Sequence, residues 1–118
     1  MEKVLSVSIA AYNAEPFLVE CVESILNNTA YPNYELIIVD NNSSDGTTAY
    51  LEKMAVEYER IRIVLNTTNR GFAGGNNDGI AVSGGEYIVL LNNDTIVTRG
   101  WLTGLVKHYD GSSKVALV

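Results

Sequence analysis

The sequence has a single cysteine, Cys21, and a single histidine, and it carries only 8 Lys and Arg residues against 14 Asp and Glu residues. One cysteine excludes an intramolecular disulfide framework and fits a reducing compartment. The formal net charge of -6 disfavours a nucleic-acid-binding surface, because that surface needs clustered cations to meet the phosphates. We therefore expect no nucleic-acid partner.

Long apolar runs are also missing from the sequence. No stretch approaches the roughly 20 consecutive apolar residues that a membrane-spanning helix needs. The apolar run that follows "MEK" is too short for a secretory signal peptide. With 47% hydrophobic and 19% charged residues, the 118-residue chain has the composition of one small globular domain. These features predict a cytoplasmic domain.

Two common nucleotide-binding motifs are absent. No Gly-x-Gly-x-x-Gly follows the first apolar segment, where "AAYNAE" stands instead, and no Gly-Lys-Ser/Thr occurs. These absences disfavour a nicotinamide site and exclude a P-loop. The glycines cluster instead at Gly71, Gly74, Gly75 and Gly79. They indicate either a mobile loop or a backbone that passes close to a ligand.

The sequence does contain a regular alternation of strand-like and helix-like segments. Apolar segments predict strands at 4–10, 34–40, 61–66, 86–92 and 114–118. Apolar residues at helical spacing predict helices at 16–26, 43–59 and 98–110. A weaker helical pattern runs through 69–83. This alternation is typical of an α/β protein with a mostly parallel sheet and helices on both faces.

Each of the first four predicted strands ends in small polar residues. The strand ends are Ala11-Tyr12-Asn13, Asp40-Asn41-Asn42-Ser43, Asn66 to Asn69, and Asn92-Asn93-Asp94. Asn, Asp and Ser are good turn and cap formers, which explains any one cluster alone. Ligands, however, bind beyond the carboxyl ends of parallel strands, where strand order reverses. Four clusters at one edge therefore favour a binding site.

Two carboxylates, Asp40 and Asp94, stand among these strand ends with few cations near them in the sequence. Carboxylate oxygens suit a hard divalent cation that takes its other oxygens from substrate phosphates. The strand ends therefore predict a metal-assisted phosphate site.

Three segments carry a family resemblance: "VSIAAYNAEPFLVECVESILNNTAYPNYELIIVDNNSSDGT", "NRGFAGGNNDGI" and "EYIVLLNNDT". They resemble, in order, the opening of the family 2 nucleotide-sugar glycosyltransferases, that family's Asn-x-Gly-(five residues)-Asn-x-Gly stretch, and the strand before its Asp-x-Asp metal motif. The resemblance covers nearly the whole chain and implies the GT-A fold. The last two segments are most similar to the branch that includes rhamnosyltransferases of cell-surface polysaccharide synthesis.

The resemblance implies roles for individual residues. Asp94 matches the last acid of the metal motif, which coordinates Mn²⁺ or Mg²⁺ bridging the donor diphosphate. Asn92 matches the first acid of that motif, which normally contacts the ribose or the metal-bound phosphates, so the resemblance implies that Asn92 belongs to both the nucleotide-sugar site and the metal site. The amide removes a charge and keeps hydrogen bonding. Asp40 matches the acid that reads the imide of a pyrimidine base. Asp45 matches the second acid of the family's Asp-x-x-x-x-Asp stretch, which begins here at Asp40, although Asp45 fits a helix N-cap at least equally well. The other implied nucleotide-sugar-binding residues are Ala10, Ala11, Tyr12, Asn13, Asn42, Gly71, Asn77 and Asn93.

The resemblance also implies a reaction, the inverting transfer of a sugar from a UDP- or dTDP-linked donor to a saccharide or lipid-linked acceptor. The family's general base lies well after the metal motif, and the only later acid, Asp110, comes too early. We therefore expect residues 1–118 to be the truncated, donor-binding half of the domain, unable to transfer sugar alone.

Two alternatives to an active transferase stay open. One is a non-catalytic or degenerate nucleotide-binding module, and the weaker one is a nucleotidyltransferase.

For the full-length protein we expect peripheral association with the inner face of the membrane. The apolar terminal strand "KVALV" predicts self-association, for example as a homodimer, and His108 is expected to be a surface residue at a helix end.

Overall fold

The computed structural model describes residues 4–108 and 115–117 of the chain. Strands and helices alternate in the order β1 (Leu5–Ala11), α1 (Glu15–Asn28), β2 (Tyr34–Asp40), α2 (Thr47–Glu57), β3 (Ile61–Leu65), α3 (Gly71–Val82), β4 (Tyr87–Leu91), α4 (Trp101–His108) and β5 (Val115–Leu117). All five predicted strands are confirmed to within one or two residues. Asp110, and the side chains of His108 and of the terminal strand, lie outside what the structure describes.

The five strands form one parallel sheet in the order β3-β2-β1-β4-β5. The chain builds outward from β1 to β3 and then crosses to the other side of β1 to form β4. Strand order therefore reverses between β1 and β4. The carboxyl ends of these strands, at Ala11 and Leu91, flank the crevice where open α/β sheets bind ligands.

The main core lies between the sheet and helices α1, α2 and α4. Every second residue of β1, from Leu5 to Ala11, faces this side, because successive side chains of a strand point to opposite faces. Helix α1 contributes Leu18, Val22 and Ile25, all fully buried. Burial of one such side chain stabilises the fold by about 1.5–3 kcal/mol. Among the helices of residues 4–108, none is long and apolar enough to cross a membrane.

Helix α3 covers the opposite face of the sheet and packs very close to β1. The β1 side chains on this face are small, and Ser6 and Ser8 are completely buried. A Cβ atom built on Gly79 would lie 2.0 Å from the Ser8 Oγ, and one on Gly75 would lie 2.9 Å from the Ala10 Cβ. Of the two interpretations of the glycine cluster, the mobile loop is therefore wrong, and the weak helical pattern over 69–83 is confirmed as α3. These two glycines are helical, and they permit close contact between helix and strand.

Helix α2 begins four residues later than its pattern predicts, at Thr47 rather than at residue 43. The preceding residues form a turn instead. The Ser43 N–H donates to the Asp40 carboxylate at 3.0 Å, and the Ser44 N–H donates to the Asn13 side-chain oxygen at 2.7 Å. Small polar residues that satisfy a turn compete with helix formation, and here the turn prevails.

The Glu35 side chain ties the amino-terminal edge of the sheet together. Its carboxylate accepts hydrogen bonds from the Ser6 hydroxyl at 2.6 Å and the Gly84 N–H at 2.6 Å, and it pairs with Arg62 at 3.2 Å. Burial, the largest single influence, would raise the pKa of Glu35. The donors and the Arg62 guanidinium together outweigh it and hold this pKa below the ordinary value of 4.5.

The close packing of α3 predicts that Gly79→Ala destabilises the protein, although alanine is the better helix former by about 1 kcal/mol. Overpacking costs about 1–3 kcal/mol, and the new methyl group would meet the Ser8 Oγ. Adding Ser8→Ala removes that atom and should restore stability. Gly104→Ala is the control, because apart from its own helix backbone no atom of the described residues lies within 4 Å of its added Cβ. Urea unfolding measures all four proteins, and a stabilised Gly79→Ala variant would refute the packing argument.

The contacts of Glu35 predict a pH dependence of stability. A carboxyl group whose pKa is lower in the folded state stabilises the fold above its ordinary pKa, and this contribution disappears as the pH falls through the folded-state value. Glu35→Gln should therefore lose stability at about pH 7, and its stability should fall less steeply than that of the wild type toward about pH 3. Glu20→Gln, at an exposed position of α1, is the control. Parallel pH curves for Glu35→Gln and wild type would contradict the assignment.

Candidate functional site

A cleft of about 220 Å³ opens at the carboxyl edge of the sheet, beside the point where strand order reverses. It is lined by Ala10, Ala11, Tyr12, Asn41, Asn69, Gly71, Phe72 and Asn93. The end of β1, the residue after β2, the start of α3 and Asn93 after β4 therefore meet at one place. Five of the predicted site residues are brought together here, namely Ala10, Ala11, Tyr12, Gly71 and Asn93.

A larger hollow of about 360 Å³ lies at the opposite edge and is lined by Val4, Pro32, Asn33, Tyr34, Glu35 and Gly84. The one charged side chain of this lining, Glu35, already bonds to Ser6, Gly84 and Arg62. In parallel sheets, ligands bind at the carboxyl ends of the strands and not at the amino ends. The smaller cleft is therefore the better candidate for the ligand-binding site than the larger hollow.

Two aromatic rings border the carboxyl-edge cleft and face solvent. Tyr12 is 49% exposed and Phe72 is 63% exposed. Aromatic rings normally gain free energy by burial, and their flat faces stack well on other rings. Exposed rings at a cleft therefore suit a ligand that contains a planar group. Phe72 was not among the predicted site residues, because nothing in its local sequence separates it from a core residue of α3.

Asn41 and Asn69 also line the cleft without having been predicted as site residues, and Asn41 is the buried one of the two. It is 3% exposed. Its side-chain N–H donates to the Gly71 carbonyl at 3.1 Å, and its oxygen accepts from Asn66 at 2.9 Å. Asn66 also donates to Asp78 at 2.9 Å, and Asp78 pairs with Arg70 at 2.7 Å. This network fixes the start of α3 against the ends of β2 and β3.

Asn42, which follows Asn41 in the sequence and was predicted as a site residue, is exposed and has a φ of 66°. This left-handed conformation, which asparagine tolerates better than most residues, shapes the turn after β2. A signal for the correct residue does exist in the sequence. Ile37, Val39 and Asn41 alternate along β2, so Asn41 extends the strand face that is turned toward α3. Asn77 is also exposed, whereas its neighbour Asn76 is buried. Neither Asn42 nor Asn77 lines the cleft.

Asp40 is 2% exposed and does not line the cleft. Its carboxylate accepts hydrogen bonds from the Ser43 N–H at 3.0 Å and from the Thr48 hydroxyl. It therefore joins the end of β2 to the first turn of α2. Contact between Asp40 and a nucleobase stays a prediction.

Asn13 and Asp45 connect two neighbouring loops. Asn13 has a φ of 48°, and its side-chain oxygen accepts the Asp45 N–H at 3.3 Å. The Asp45 carboxylate accepts the Thr47 N–H at 2.9 Å and the Glu15 N–H at 3.3 Å, so it holds the first turns of α2 and α1. Hydrogen bonds from Thr47 lower the pKa of Asp45. The N-cap itself is Gly46, so the N-cap prediction for Asp45 is one residue off, although the helix-start role is confirmed.

The segment after β4 presents Asn92 and Asp94 to solvent. Between them, Asn93 donates to the Ala10 carbonyl at 3.1 Å and so joins the ends of β4 and β1. The Cys21 thiol lies 3.8 Å from the Asn92 carbonyl, and burial raises its pKa to about 12, so it stays neutral.

Asp94 is not part of a metal site built from several protein ligands within residues 4–108. Within residues 4–108, no three His, Cys, Asp or Glu side chains come together in a way that could hold an ion. A single exposed carboxylate does fit an ion that takes its other oxygens from phosphates and water, which is how Mg²⁺ is commonly bound. The residues present therefore suit a metal that binds together with a phosphate-containing ligand.

Comparison with known proteins identifies the family of the chain. The sequence model of the family described as Glycosyl transferase family 2 matches residues 6–118. Glycosyltransferase GlyG of Streptococcus pneumoniae is 36% identical over 108 residues, which are 92% of this chain and 36% of that protein. UDP-Glc:alpha-D-GlcNAc-diphosphoundecaprenol beta-1,3-glucosyltransferase WfaP of Escherichia coli is 33% identical over 116 residues, which are 96% of this chain and 43% of that protein.

A solved glycosyltransferase structure has the same fold as this chain. The mannosyltransferase PcManGT from Pyrobaculum calidifontis, in complex with GDP-Man and Mn²⁺, superposes with a TM-score of 0.85 at 26% identity, over 95% of this chain and 34% of that chain. The chain spans about a third of the length of the first curated relatives that it matches.

The predicted family and the predicted GT-A fold are both confirmed, whereas the rhamnosyltransferase branch stays a prediction. A family match over residues 6–118, a parallel sheet with a cleft where strand order reverses, and a close structural relative lead to one conclusion. The chain belongs to glycosyl transferase family 2.

Proposed function

We propose that this chain is the donor-binding part of a metal-dependent glycosyltransferase. The single observation that carries the proposal is the position of the cleft. Five residues predicted from the family motifs line it, at the point where strand order reverses, and one of them, Asn93, directly precedes the exposed Asp94. The relatives support the same activity, since GlyG and WfaP are both named as glycosyltransferases.

The cleft takes the base and ribose of the donor. Its volume of about 220 Å³ is below the roughly 300–1,000 Å³ of pockets that enclose a whole drug-sized ligand. The exposed rings of Tyr12 and Phe72 offer stacking surfaces for a planar base. We propose a uridine or thymidine base, and WfaP, which is named for UDP-Glc, supports uridine.

The diphosphate lies toward Asn92 and Asp94. Asp94 would hold Mn²⁺ or Mg²⁺, and the bound ion would offset the charge that develops on the departing diphosphate. Asn92, where the family motif has an acid, hydrogen-bonds without adding negative charge. The presence of Mn²⁺ and GDP-Man together in PcManGT supports joint binding of metal and donor.

The acceptor is a saccharide or a lipid-linked saccharide, and the reaction inverts the anomeric centre. WfaP supports this acceptor class, since its name specifies a GlcNAc-diphosphoundecaprenol acceptor. Transfer needs a base that deprotonates the acceptor hydroxyl. Residues 95–108 and 115–117 contain no Asp or Glu that could act as this base. We therefore propose that this chain binds the donor without transferring the sugar.

A second candidate function is a nucleotide-binding module that has lost metal dependence. Asn92 favours it, because the substitution of an amide for an acid leaves one carboxylate at the motif. The two functions differ in one measurable property, the effect of a divalent cation on nucleotide binding.

Asp94→Ala tests the metal assignment. Mn²⁺ and UDP together should raise the melting temperature of the wild type more than either alone, because the phosphates and Asp94 bind the same ion. At ligand concentrations about 100 times the dissociation constant, the stabilisation reaches about 2.7 kcal/mol. Asp94→Ala should lose the joint effect, whereas Glu20→Ala should keep it. A joint shift that is equal in Asp94→Ala and wild type would refute the assignment.

Asp40→Asn tests the predicted base contact. The amide can still accept from Ser43 and contact Thr48, so the turn after β2 is preserved, while the negative charge and the second acceptor oxygen that would receive the uracil imide N–H are lost. UDP binding should weaken by about 1–3 kcal/mol, and CDP, whose base has no imide proton, should bind as before. Titration calorimetry with both nucleotides measures this difference. An equal loss for UDP and CDP would show that Asp40 acts only through the turn.

A further inference from the structure

One line of side chains on α1 contacts the segment that carries Asp94. Cys21, Ser24 and Asn28 are three and four residues apart, so they lie on one face of the helix. The Cys21 thiol lies 3.8 Å from the Asn92 carbonyl. The Ser24 hydroxyl accepts the Val97 N–H at 3.1 Å, and the Asn28 side-chain N–H donates to the Val97 carbonyl at 3.2 Å.

These contacts reach only the main chain of residues 92–97, which we name the Asp94 segment. Within this segment, the Thr95 N–H donates a backbone hydrogen bond to the Asn92 carbonyl at 3.1 Å. Just beyond the segment, the Trp101 indole donates to the Thr29 hydroxyl at 2.8 Å and extends the attachment to the end of α1. Attachment through the main chain leaves the side chain of Asp94 exposed.

Ser24 is the central contact. It is 8% exposed, and its hydroxyl donates to the Cys21 carbonyl at 2.8 Å while it accepts from Val97. Val97 is itself 6% exposed. Without the Ser24 oxygen, the Val97 N–H would be a buried donor without a partner, and a backbone group in that position is unfavourable enough to move the segment.

We propose that Ser24 and Asn28 are positioning residues for the metal site, holding the Asp94 segment so that its carboxylate meets an ion on the donor diphosphate. The inference rests on the proposed function. A site with a single carboxylate is sensitive to such support, because within residues 4–108 no cluster of acidic, His or Cys side chains is present to hold the ion if Asp94 is displaced. Groups that orient metal ligands typically change metal affinity by about 10–100-fold when removed.

The test uses Ser24→Ala and the milder Asn28→Ala, at a half-buried position, so that one variant folds even where the other does not. Titration calorimetry measures UDP affinity with and without Mn²⁺, and the ratio of the two dissociation constants is the metal enhancement. The variants should lower this enhancement by about tenfold. Their UDP affinity without metal should equal that of the wild type, because Asn93, the one residue of the segment that lines the cleft, is held separately by its hydrogen bond to the Ala10 carbonyl.

Ile61→Val is the control for general destabilisation. Ile61 is buried in β3, which is separated from β4 by β2 and β1. This variant should lose stability and keep the full metal enhancement. An unchanged enhancement in both α1 variants, or an equal loss in Ile61→Val, would overturn the inference while the proposed function stands. Absence of any enhancement in the wild type would overturn both.

Discussion

The close approach of α3 to β1 determines where the cleft forms. At Gly75 and Gly79 no side chain separates the helix from the strand, and the facing side chains of β1 are Ser8 and Ala10. A helix that lies this low over the sheet begins at the level of the strand ends, so Gly71 and Phe72 reach the cleft. Larger residues at the glycine positions would lift the helix and open the site.

Neutral amide side chains hold the carboxyl edge together. Asn41 binds the start of α3, Asn93 binds the end of β1, and Asn13 binds the turn before α2. Each satisfies main-chain groups that a strand end leaves without partners. Because amides carry no charge, these three contacts add rigidity without adding negative charge next to the proposed diphosphate. That matters in a protein whose net charge is -6.

The sequence predicted the strands well because their apolar segments are continuous, and the family motifs predicted five of the eight residues that line the cleft. It failed where tertiary contacts decide the outcome. The helical pattern of α3 is weak because the face it presents to the sheet contains Gly75 and Gly79 rather than large apolar residues. Asn41 and Asn42 have the same chemistry, and only the alternation along β2 tells the buried one from the exposed one.

The burial of Asp40 was equally beyond local sequence reasoning. Its carboxylate is engaged by the Thr48 hydroxyl, which reaches it only because α2 begins at Thr47. The start of α2 depends in turn on the hydrogen bonds that the Ser44 and Asp45 N–H groups, just before the helix, donate to the Asn13 side-chain oxygen. A chain of contacts across three elements decides whether one carboxylate faces a ligand or a turn, and no local pattern records such a chain.

Helix α1 connects the two sides of the proposed site. At its first residue, the Glu15 N–H is held by Asp45 of the turn after β2, and near its end Ser24 and Asn28 hold the Asp94 segment. A 14-residue helix is about 21 Å long at about 1.5 Å per residue, and its own hydrogen bonds keep it stiff. The distance between the turn below Asp40 and the segment with Asp94 is therefore set by a helix packed in the core. Loops alone would leave that distance variable, and a donor that must touch both sides would then lose the benefit of a preformed site.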